Sequence, residues 1–357
     1  MEFIAECDKH MLPTELCNIK YSLPLINSYV IEVSNKNISK LIKSINALYP
    51  NKTIDTQMNI VRDKVKCINT KYTGKGISIA FIDTGICKNN DFDSRIKCFY
   101  DVVNHKNYVY DDCGHGTHVA GICSGSGANS NGKYRGIAPE SNIVMIKALD
   151  FEGKGTASDV LTGIQWVADN YKKYNIRILN MSIGAGITNT KDPLVRAAEI
   201  LWDMGIVVVA AAGNNGPQKG TISSPGISKK IITVGSVDDI NVPENDIGKS
   251  YSGRGPTKEC VIKPDVVAPG TNIISCLCED NKNNNYYKSL SGTSMSTPIV
   301  SGAIALLLEK VPNLKPDDIK FMLKQSCHNL ECSPNRQGWG LLDIENLLNR
   351  EVIYVRK

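Results

Sequence analysis

The sequence has few charged and few aromatic residues, and it lacks the segments that mark membrane or nucleic-acid-binding proteins. Charged residues make up 22% and aromatic residues 6% of the 357 residues, and the net charge is +5. No long run of Lys or Arg occurs, and no apolar run reaches the roughly 18 residues that a membrane span needs. We therefore expect neither a nucleic acid nor a membrane as a partner.

The first residues do not have the pattern expected of a secretory leader. Glu2, Glu6 and Asp8 lie where a signal peptide would carry basic residues, and no apolar core with a small-residue cleavage site follows. The cysteines are spread from Cys7 to Cys332, whereas disulfide frameworks belong to short secreted chains. We therefore expect a cytoplasmic protein with reduced thiols.

The sequence also lacks these common motifs that bind zinc or a nucleotide. The cysteines between 276 and 332 lack the two paired CxxC knuckles of a structural zinc site. His115 and His118 are three residues apart, whereas the zinc-protease helix has them four apart with a glutamate between. No GxGxxG follows the first strand of the main domain, which argues against a nucleotide-binding α/β protein. We assign no metal ligand.

The first sixty residues differ in pattern from the rest. Residues 29–33 (YVIEV) predict a strand, and apolar residues at helical spacing predict a helix over 38–48 that Pro50 ends. The passage 51–71 is polar and poor in strands. We predict a small α+β unit over residues 1–60.

The remaining chain alternates short apolar runs with amphipathic segments. Buried strands are predicted at 77–82, 142–149, 178–183, 206–212 and 230–237, and helices at 157–171 and 193–204. Apolar strands separated by helices indicate an α/β fold, a doubly wound and mostly parallel sheet with helices on both faces. We assign this domain to 61–348 and a short tail to 349–357. Functional residues are expected beyond the carboxyl ends of the strands.

Two motifs in the first half of this domain place polar residues at such ends. Asp83 ends the first strand in FIDTG, where an aspartate taken alone is more often a turn or capping residue. His115 lies in GHGTHVAG.

Two more motifs follow later strands. Ser294, in GTSMSTP, lies at the start of a predicted helix, whose backbone N–H groups and dipole would stabilise developing negative charge. Taken alone, Ser294 could be a simple N-cap. Asn214, in AAAGNNG, could donate to an oxyanion or could be an ordinary turn residue.

Together and in this order, these motifs resemble those of the subtilisin-like serine proteases, or subtilases, in which the triad runs Asp, His, Ser along the chain. KPDVVAPG at 263–270 is a further signature of the family. The similarity is greatest to the AprX-type intracellular bacterial subtilases, through YRGIAPESN, DPLVRA and SSPGISKKIITVG. It extends over about 72–348.

The resemblance implies a role for each matching residue. Ser294 would be the nucleophile, His115 the general base and acid, and Asp83 the group that holds the imidazole tautomer. Asn214 and the backbone N–H of Ser294 would bind the oxyanion. His118 matches no catalytic position and is interpreted as structural.

The resemblance also implies a substrate cleft built for an extended peptide backbone. Two segments would lie on either side of the substrate, and an apolar wall and two small residues would shape its side-chain pockets. The residues are Gly153, Lys154, Gly155, Ser182, Ile183, Gly184, Leu149, Ala211 and Gly213. No acidic residue stands at the pocket positions Ala211 and Gly213, so we expect an uncharged or apolar residue before the scissile bond.

Three further expectations concern regulation and cofactors. The unit at 1–60 resembles a propeptide that assists folding and inhibits the enzyme, and we predict self-cleavage between Asp55 and Val61, with Met58 as a candidate. We expect the reaction to need no cofactor. Whether isolated carboxylates such as Asp91, Asp93 or Asp101 bind a structural calcium ion is left open. Cys113 could be a small buried residue or a thiol near the imidazole.

The leading hypothesis is a self-processing serine endopeptidase that acts on protein or peptide substrates. The alternative is a catalytically silent protein with the same fold and a binding or regulatory role. A complete set of Asp83, His115, Asn214 and Ser294 argues against the alternative.

Overall fold

The fold is described by a computed structural model for residues 2–7, 12–24, 27–50, 57–68, 70–187, 189–240, 250–280, 285–352 and 354. Chain contacts divide it into two units, Met1–Asp55 and Thr56–Lys357. The first unit is an antiparallel four-stranded sheet in the order β2-β3-β1-β4 with one α-helix. Its elements are β1 (Glu2–Glu6), β2 (Cys17–Leu23), β3 (Ser28–Val33), α1 (Asn35–Leu41) and β4 (Ala47–Pro50).

The helix predicted over 38–48 is too long. The α-helix ends at Leu41, a short 3-10 helix covers Ile42–Ser44, and Ala47–Pro50 forms an edge strand paired with β1. Pairing with a distant strand therefore overrides the local helical spacing of the apolar residues. Ala5, Ile31, Val33 and Leu41 form the small core of this unit.

The second unit contains a seven-stranded sheet whose strands are all parallel, in the order β11-β10-β9-β8-β5-β7-β6. The predicted doubly wound parallel sheet is thus confirmed. Its strands are β5 (Ser78–Asp83), β6 (Ile96–Asp101), β7 (Asn142–Lys147), β8 (Ile176–Met181), β9 (Val207–Ala211), β10 (Ile232–Ser236) and β11 (Val266–Ala268).

Helices cover this sheet, and a two-stranded hairpin stands beside it. Every residue of β5 and of β9 is buried, and because alternate residues point to opposite faces, both faces must be covered. The helices are α2 (Gln57–Lys64), α3 (His115–Ser124), α4 (Ala157–Asn170), α5 (Pro193–Asp203), α6 (Thr293–Lys310), α7 (Pro316–Ser326), α8 (Pro334–Gln337) and α9 (Ile344–Asn349). The hairpin strands are β12 (Ile273–Asp280) and β13 (Asn285–Leu290).

Two helices that begin at the carboxyl edge of the sheet carry the residues of interest. Helices α3 and α6 pack against each other and against the central strands. Helix α6 is buried along most of its length. Pro298, its sixth residue, lies inside the helix and has no N–H to donate to the carbonyl oxygen of Ser294, which instead accepts from the hydroxyl of Ser182. Gly302 allows close packing, since a Cβ there would lie 2.6 Å from Cβ of Ile137. These contacts set where the amino-terminal ends of both helices lie.

Candidate active site

Asp83 ends β5 with its side chain fully buried. Its Oδ1 atom accepts hydrogen bonds from the backbone N–H of Thr84 and from Nδ1 of His115, both at 2.7 Å. Because a carboxylate accepts and cannot donate, this contact places the proton on Nδ1 of the neutral ring and leaves Nε2 as the basic nitrogen.

Helix α3 begins at His115, which has a glycine on each side. Gly114, the N-cap, has a φ of 87°, which a side chain would disfavour, and a Cβ on Gly116 would lie 2.2 Å from the carbonyl oxygen of Gly85. The helix can therefore approach the turn that follows Asp83. Burial favours the neutral ring of His115, but the charge and hydrogen bond of Asp83, with the charge of Asp111, raise its pKa above the ordinary value.

His118 lies one turn further along the same helix and is fully buried. Its Nε2 atom lies 3.0 Å from the carbonyl oxygens of both Ile273 and Lys288, which belong to the two strands of the hairpin. Burial lowers the pKa of His118 to about 3, so the ring is neutral near pH 7. It joins α3 to the hairpin.

Ser294 lies in the first turn of α6 and faces the segment after β8. Its hydroxyl donates to the carbonyl oxygen of Ser182 at 2.9 Å, and the Ser182 hydroxyl donates to the carbonyl oxygen of Ser294 at the same distance. These reciprocal bonds join the amino-terminal end of α6 to the carboxyl end of β8.

Asn214 follows β9 and contacts the residue before Ser294. Its Oδ1 atom accepts hydrogen bonds from the backbone N–H and from the hydroxyl of Thr293, both at 3.0 Å. A backbone N–H can only donate, so the amide oxygen must face Thr293 and the amide nitrogen is left to face another acceptor.

One cleft of about 610 Å³ brings these residues together. His115, Asn214 and Ser294 line it, while Asp83 lies buried behind His115. All the residues expected to bind substrate also line it, namely Leu149, Gly153, Lys154, Gly155, Ser182, Ile183, Gly184, Ala211 and Gly213. Their roles in binding remain predictions.

The cleft also contains residues that the sequence did not indicate. Ser223 lines the cleft and packs closely on Gly213, since a Cβ on Gly213 would lie 2.1 Å from its Oγ. Ala157, Val160 and Leu194 add apolar surface. The lining acid, Glu152, is paired with Lys154 at 2.7 Å, and both side chains are exposed.

Two of the cysteines are not in the reduced state that the sequence predicts. Cys87, just after β5, forms a disulfide with Cys278 on β12, so the expectation that all thiols are reduced is wrong for this pair. The two residues are 191 positions apart, which is why only the fold reveals the pairing. The thiol of Cys113 is free, and it lines the cleft.

Two of the three carboxylates considered for calcium, Asp91 and Asp101, accept hydrogen bonds from protein donors. Asp91 is buried and accepts from the backbone N–H of Asn129, the hydroxyl of Tyr287 and the thiol of Cys276. Asp101 accepts three backbone N–H bonds and the hydroxyl of Tyr110. Among the described residues, no group of three or more His, Cys, Asp or Glu could hold a metal ion.

The comparisons with known proteins agree with this geometry. The model of the Subtilase family matches residues 74–340. The chain is 40% identical to serine protease AprX of Bacillus subtilis (strain 168) over 351 residues, covering 92% of this chain and 78% of AprX. It is 35% identical to subtilisin DY of Bacillus licheniformis over 288 residues, covering 80% of this chain and 95% of that protein.

Solved structures show the same fold. A cold-adapted subtilisin-like serine proteinase superposes with a TM-score of 0.63 at 33% identity, covering 77% of this chain and 91% of that one. Sphericase superposes with a TM-score of 0.69 at 26% identity, covering 82% and 99%. The chain therefore belongs to the subtilase family of serine endopeptidases. In the part of the chain that the structure describes, no helix is long and apolar enough to cross a membrane.

Proposed function

We propose that the chain hydrolyses peptide bonds with Ser294 as nucleophile, His115 as general base and acid, and Asp83 as the group that orients the imidazole. The observation that carries the proposal is the 2.7 Å bond between Asp83 Oδ1 and His115 Nδ1, in a cleft that Ser294 also lines. With Nδ1 protonated, Nε2 is free to take the proton of Ser294 as its oxygen attacks the carbonyl carbon. The hydroxyl would first turn away from Ser182.

The developing oxyanion would be bound by two donors. The amide nitrogen of Asn214 is turned away from Thr293, and the backbone N–H of Ser294 lies in the first turn of α6, where helix N–H groups have no partner within the helix. Collapse of the tetrahedral intermediate would release the amine, protonated by His115, and leave an acyl-enzyme on Ser294. Water activated by His115 would then hydrolyse that ester.

A fluorophosphonate probe tests the nucleophile directly. We expect wild-type protein to be labelled at Ser294 and to cleave a casein substrate, and Ser294→Ala to lose both properties. Ser223→Ala is the matched control, because this serine lies in the same cleft and its loss should leave labelling intact. Folded wild-type protein that is neither labelled nor active would favour the catalytically silent alternative.

The substrate backbone would lie between the segments Gly153 to Gly155 and Ser182 to Gly184. Both segments line the cleft, as expected if a peptide binds between them by adding a strand. Such binding depends weakly on sequence. We therefore propose broad specificity, with apolar surface from Leu149 adjoining the peptide.

The residue before the scissile bond would be uncharged or apolar. Ala211, Gly213 and Ser223 line that end of the cleft, and none of them carries a charge that would attract Lys or Arg. Peptide anilides that differ only in Phe or Lys before the cleaved bond test this proposal. A preference for Lys would contradict it.

The unit Met1–Asp55 would act as a propeptide, the enzyme's own inhibitory partner. The proposed cleavage window between Asp55 and Val61 overlaps the first turn of α2, and Asp55 lies outside the described residues. Intact mass should show a shortened chain for wild type and the full-length chain for Ser294→Ala. A wild type that keeps its full mass while active would contradict self-processing.

We also propose a reaction without a cofactor and a cytoplasmic location, with neither nucleic acid nor a membrane as partner. Free thiols such as Cys113, Cys123 and Cys260 favour a reducing compartment, whereas the Cys87–Cys278 disulfide argues for an oxidising one, so cell fractionation is needed. Because protein donors occupy Asp91 and Asp101, a calcium chelator should leave the melting temperature of the Ser294→Ala protein unchanged. A fall would reveal a structural cation.

A further inference from the structure

The carboxylate of Asp111 is the centre of a hydrogen-bond network beneath the proposed catalytic pair. The residue is buried and precedes α3. Its Oδ1 atom accepts from the hydroxyl of Thr84 and the backbone N–H of Gly114, both at 2.8 Å, and from the backbone N–H of Cys113 at 3.2 Å. Its Oδ2 atom accepts from the backbone N–H and hydroxyl of Thr117 at 2.9 and 2.6 Å.

These donors belong to the two elements that carry Asp83 and His115. Thr84 is the next residue after Asp83, and its hydroxyl oxygen in turn accepts the backbone N–H of Gly116 at 2.8 Å. One carboxylate and one hydroxyl therefore connect the end of β5 with the first turn of α3. An acidic group at this end of a helix also satisfies N–H groups that have no partner within the helix.

We propose that Asp111 is a positioning residue for catalysis, which holds the Asp83–His115 pair in its reactive geometry. The proposal rests on the triad proposed above. Asp111 faces away from the substrate chemistry and acts through Thr84 and the amino-terminal turn of α3. Loss of its bonds would let the helix end and the strand end move relative to each other, and small displacements of a general base lower kcat more than they weaken substrate binding.

The charge of Asp111 should affect the pKa of His115, and a residue with a purely structural role would have no such effect. The groups that act on the His115 ring are Asp83 from β5, Asp111, Lys288 from β13 and the neutral His118 on its own helix. The charge of Asp111 raises the pKa of His115, whereas that of Lys288 lowers it.

The described groups on two further neighbouring elements are already paired. On β7, Lys147 is paired with Asp112 at 2.6 Å. On β12, Cys278 is in the disulfide. Removing the charge of Asp111 should therefore shift the pKa of His115 downward, and removing that of Lys288 should shift it upward.

The experiment compares pH profiles of kcat and kcat/KM for wild type, Asp111→Asn, Thr84→Val and Lys288→Met, with active sites counted by a fluorophosphonate. We expect Asp111→Asn to lower kcat by about tenfold or more, with KM changed by less than about threefold. The acid limb of its kcat/KM profile should move to lower pH. Lys288→Met should move that limb to higher pH and keep the plateau kcat, because every donor to Asp111 is retained.

Thr84→Val keeps the experiment decisive even where Asp111→Asn folds poorly. It removes one hydroxyl while Asp111 stays charged, so kcat should fall without the downward shift of the acid limb. The double variant with Asp111→Asn should lose little more than Asp111→Asn alone, because the two residues share one bond. A normal kcat in folded Asp111→Asn, or an acid limb that does not move, would overturn the proposal. A wild type that is not labelled would instead refute the proposed triad.

Discussion

Asn214 and Thr293 are joined by two hydrogen bonds, since the side-chain oxygen of Asn214 accepts both the backbone N–H and the hydroxyl of Thr293 at 3.0 Å. The residue just before Ser294 therefore fixes the orientation of the amide. The nitrogen end of Asn214 is the end available to a substrate.

Asn214→Asp should reduce kcat strongly while the fold is kept. The aspartate can still accept from Thr293, but its second oxygen would repel an oxyanion instead of donating to it. Loss of one such donor lowers kcat by about 100- to 1,000-fold. Steady-state kinetics with active-site titration measures this loss, and Thr293→Val, which keeps the backbone N–H, is the control with a smaller expected effect. Equal losses in the two variants would contradict this assignment.

Reduction of the Cys87–Cys278 disulfide should destabilise the enzyme. The bond closes a separation of 191 residues, and cross-links over long loops typically contribute about 2–4 kcal/mol. Thermal unfolding in a Ser294→Ala background should show a lower melting temperature with dithiothreitol or in Cys278→Ser. Cys332→Ser, which removes a free thiol, should behave as wild type. Identical melting of oxidised and reduced protein would contradict the prediction.

Cys113 should make the enzyme sensitive to bulky thiol reagents. It is half-buried in the wall of the cleft that contains His115, and a Cβ on Gly153 would lie 3.7 Å from its sulfur. A maleimide attached there would occupy the path of the substrate. We expect inhibition of wild type and of Cys260→Ser, which removes an exposed free thiol, but not of Cys113→Ser. Inhibition of all three proteins would exclude Cys113 as the target.

His118 should give the folded protein a pH-dependent stability. Its pKa is about 3 when folded, against about 6.5 in an unfolded chain. Its contribution is therefore complete above pH 6.5 and decreases as the pH falls toward 3, because only the unfolded chain binds the proton, with a slope of up to about 1.4 kcal/mol per pH unit. Urea unfolding of Ser294→Ala protein at pH 7.5 and pH 5 should show this loss, and His118→Gln should reduce it. Equal losses in both proteins would contradict the prediction.

The sequence of a segment predicts its structure where that structure depends on the burial of the segment's own residues. β5 is recognisable because all its residues are buried, which requires an unbroken apolar pattern. The edge strand Ile96–Asp101 is not predicted because it is only partly covered, and its sequence IKCFYD mixes polar and apolar residues. The first two residues of the strand Ala47–Pro50 fall within the predicted helix because the pairing of this strand with β1 lies outside any local window.

In the active site, too, some residues can be predicted from the sequence and others cannot. The four motif residues and the cleft segments could be named because short motifs carry them. Asp111 could not, because its importance comes from donors on two elements. Cys87 and Cys278 could not be paired because the separation of 191 residues leaves no local signal.

The hairpin that holds His118 has a consequence for the order in which the site can form. Ile273 and Lys288 are made long after His115, and Ser294 follows the hairpin directly. While the ribosome is still synthesising the middle of the chain, α3 lacks its partners and the nucleophile does not yet exist. A nascent protease of this design is thus harmless to its own unfinished chain until synthesis has passed Ser294.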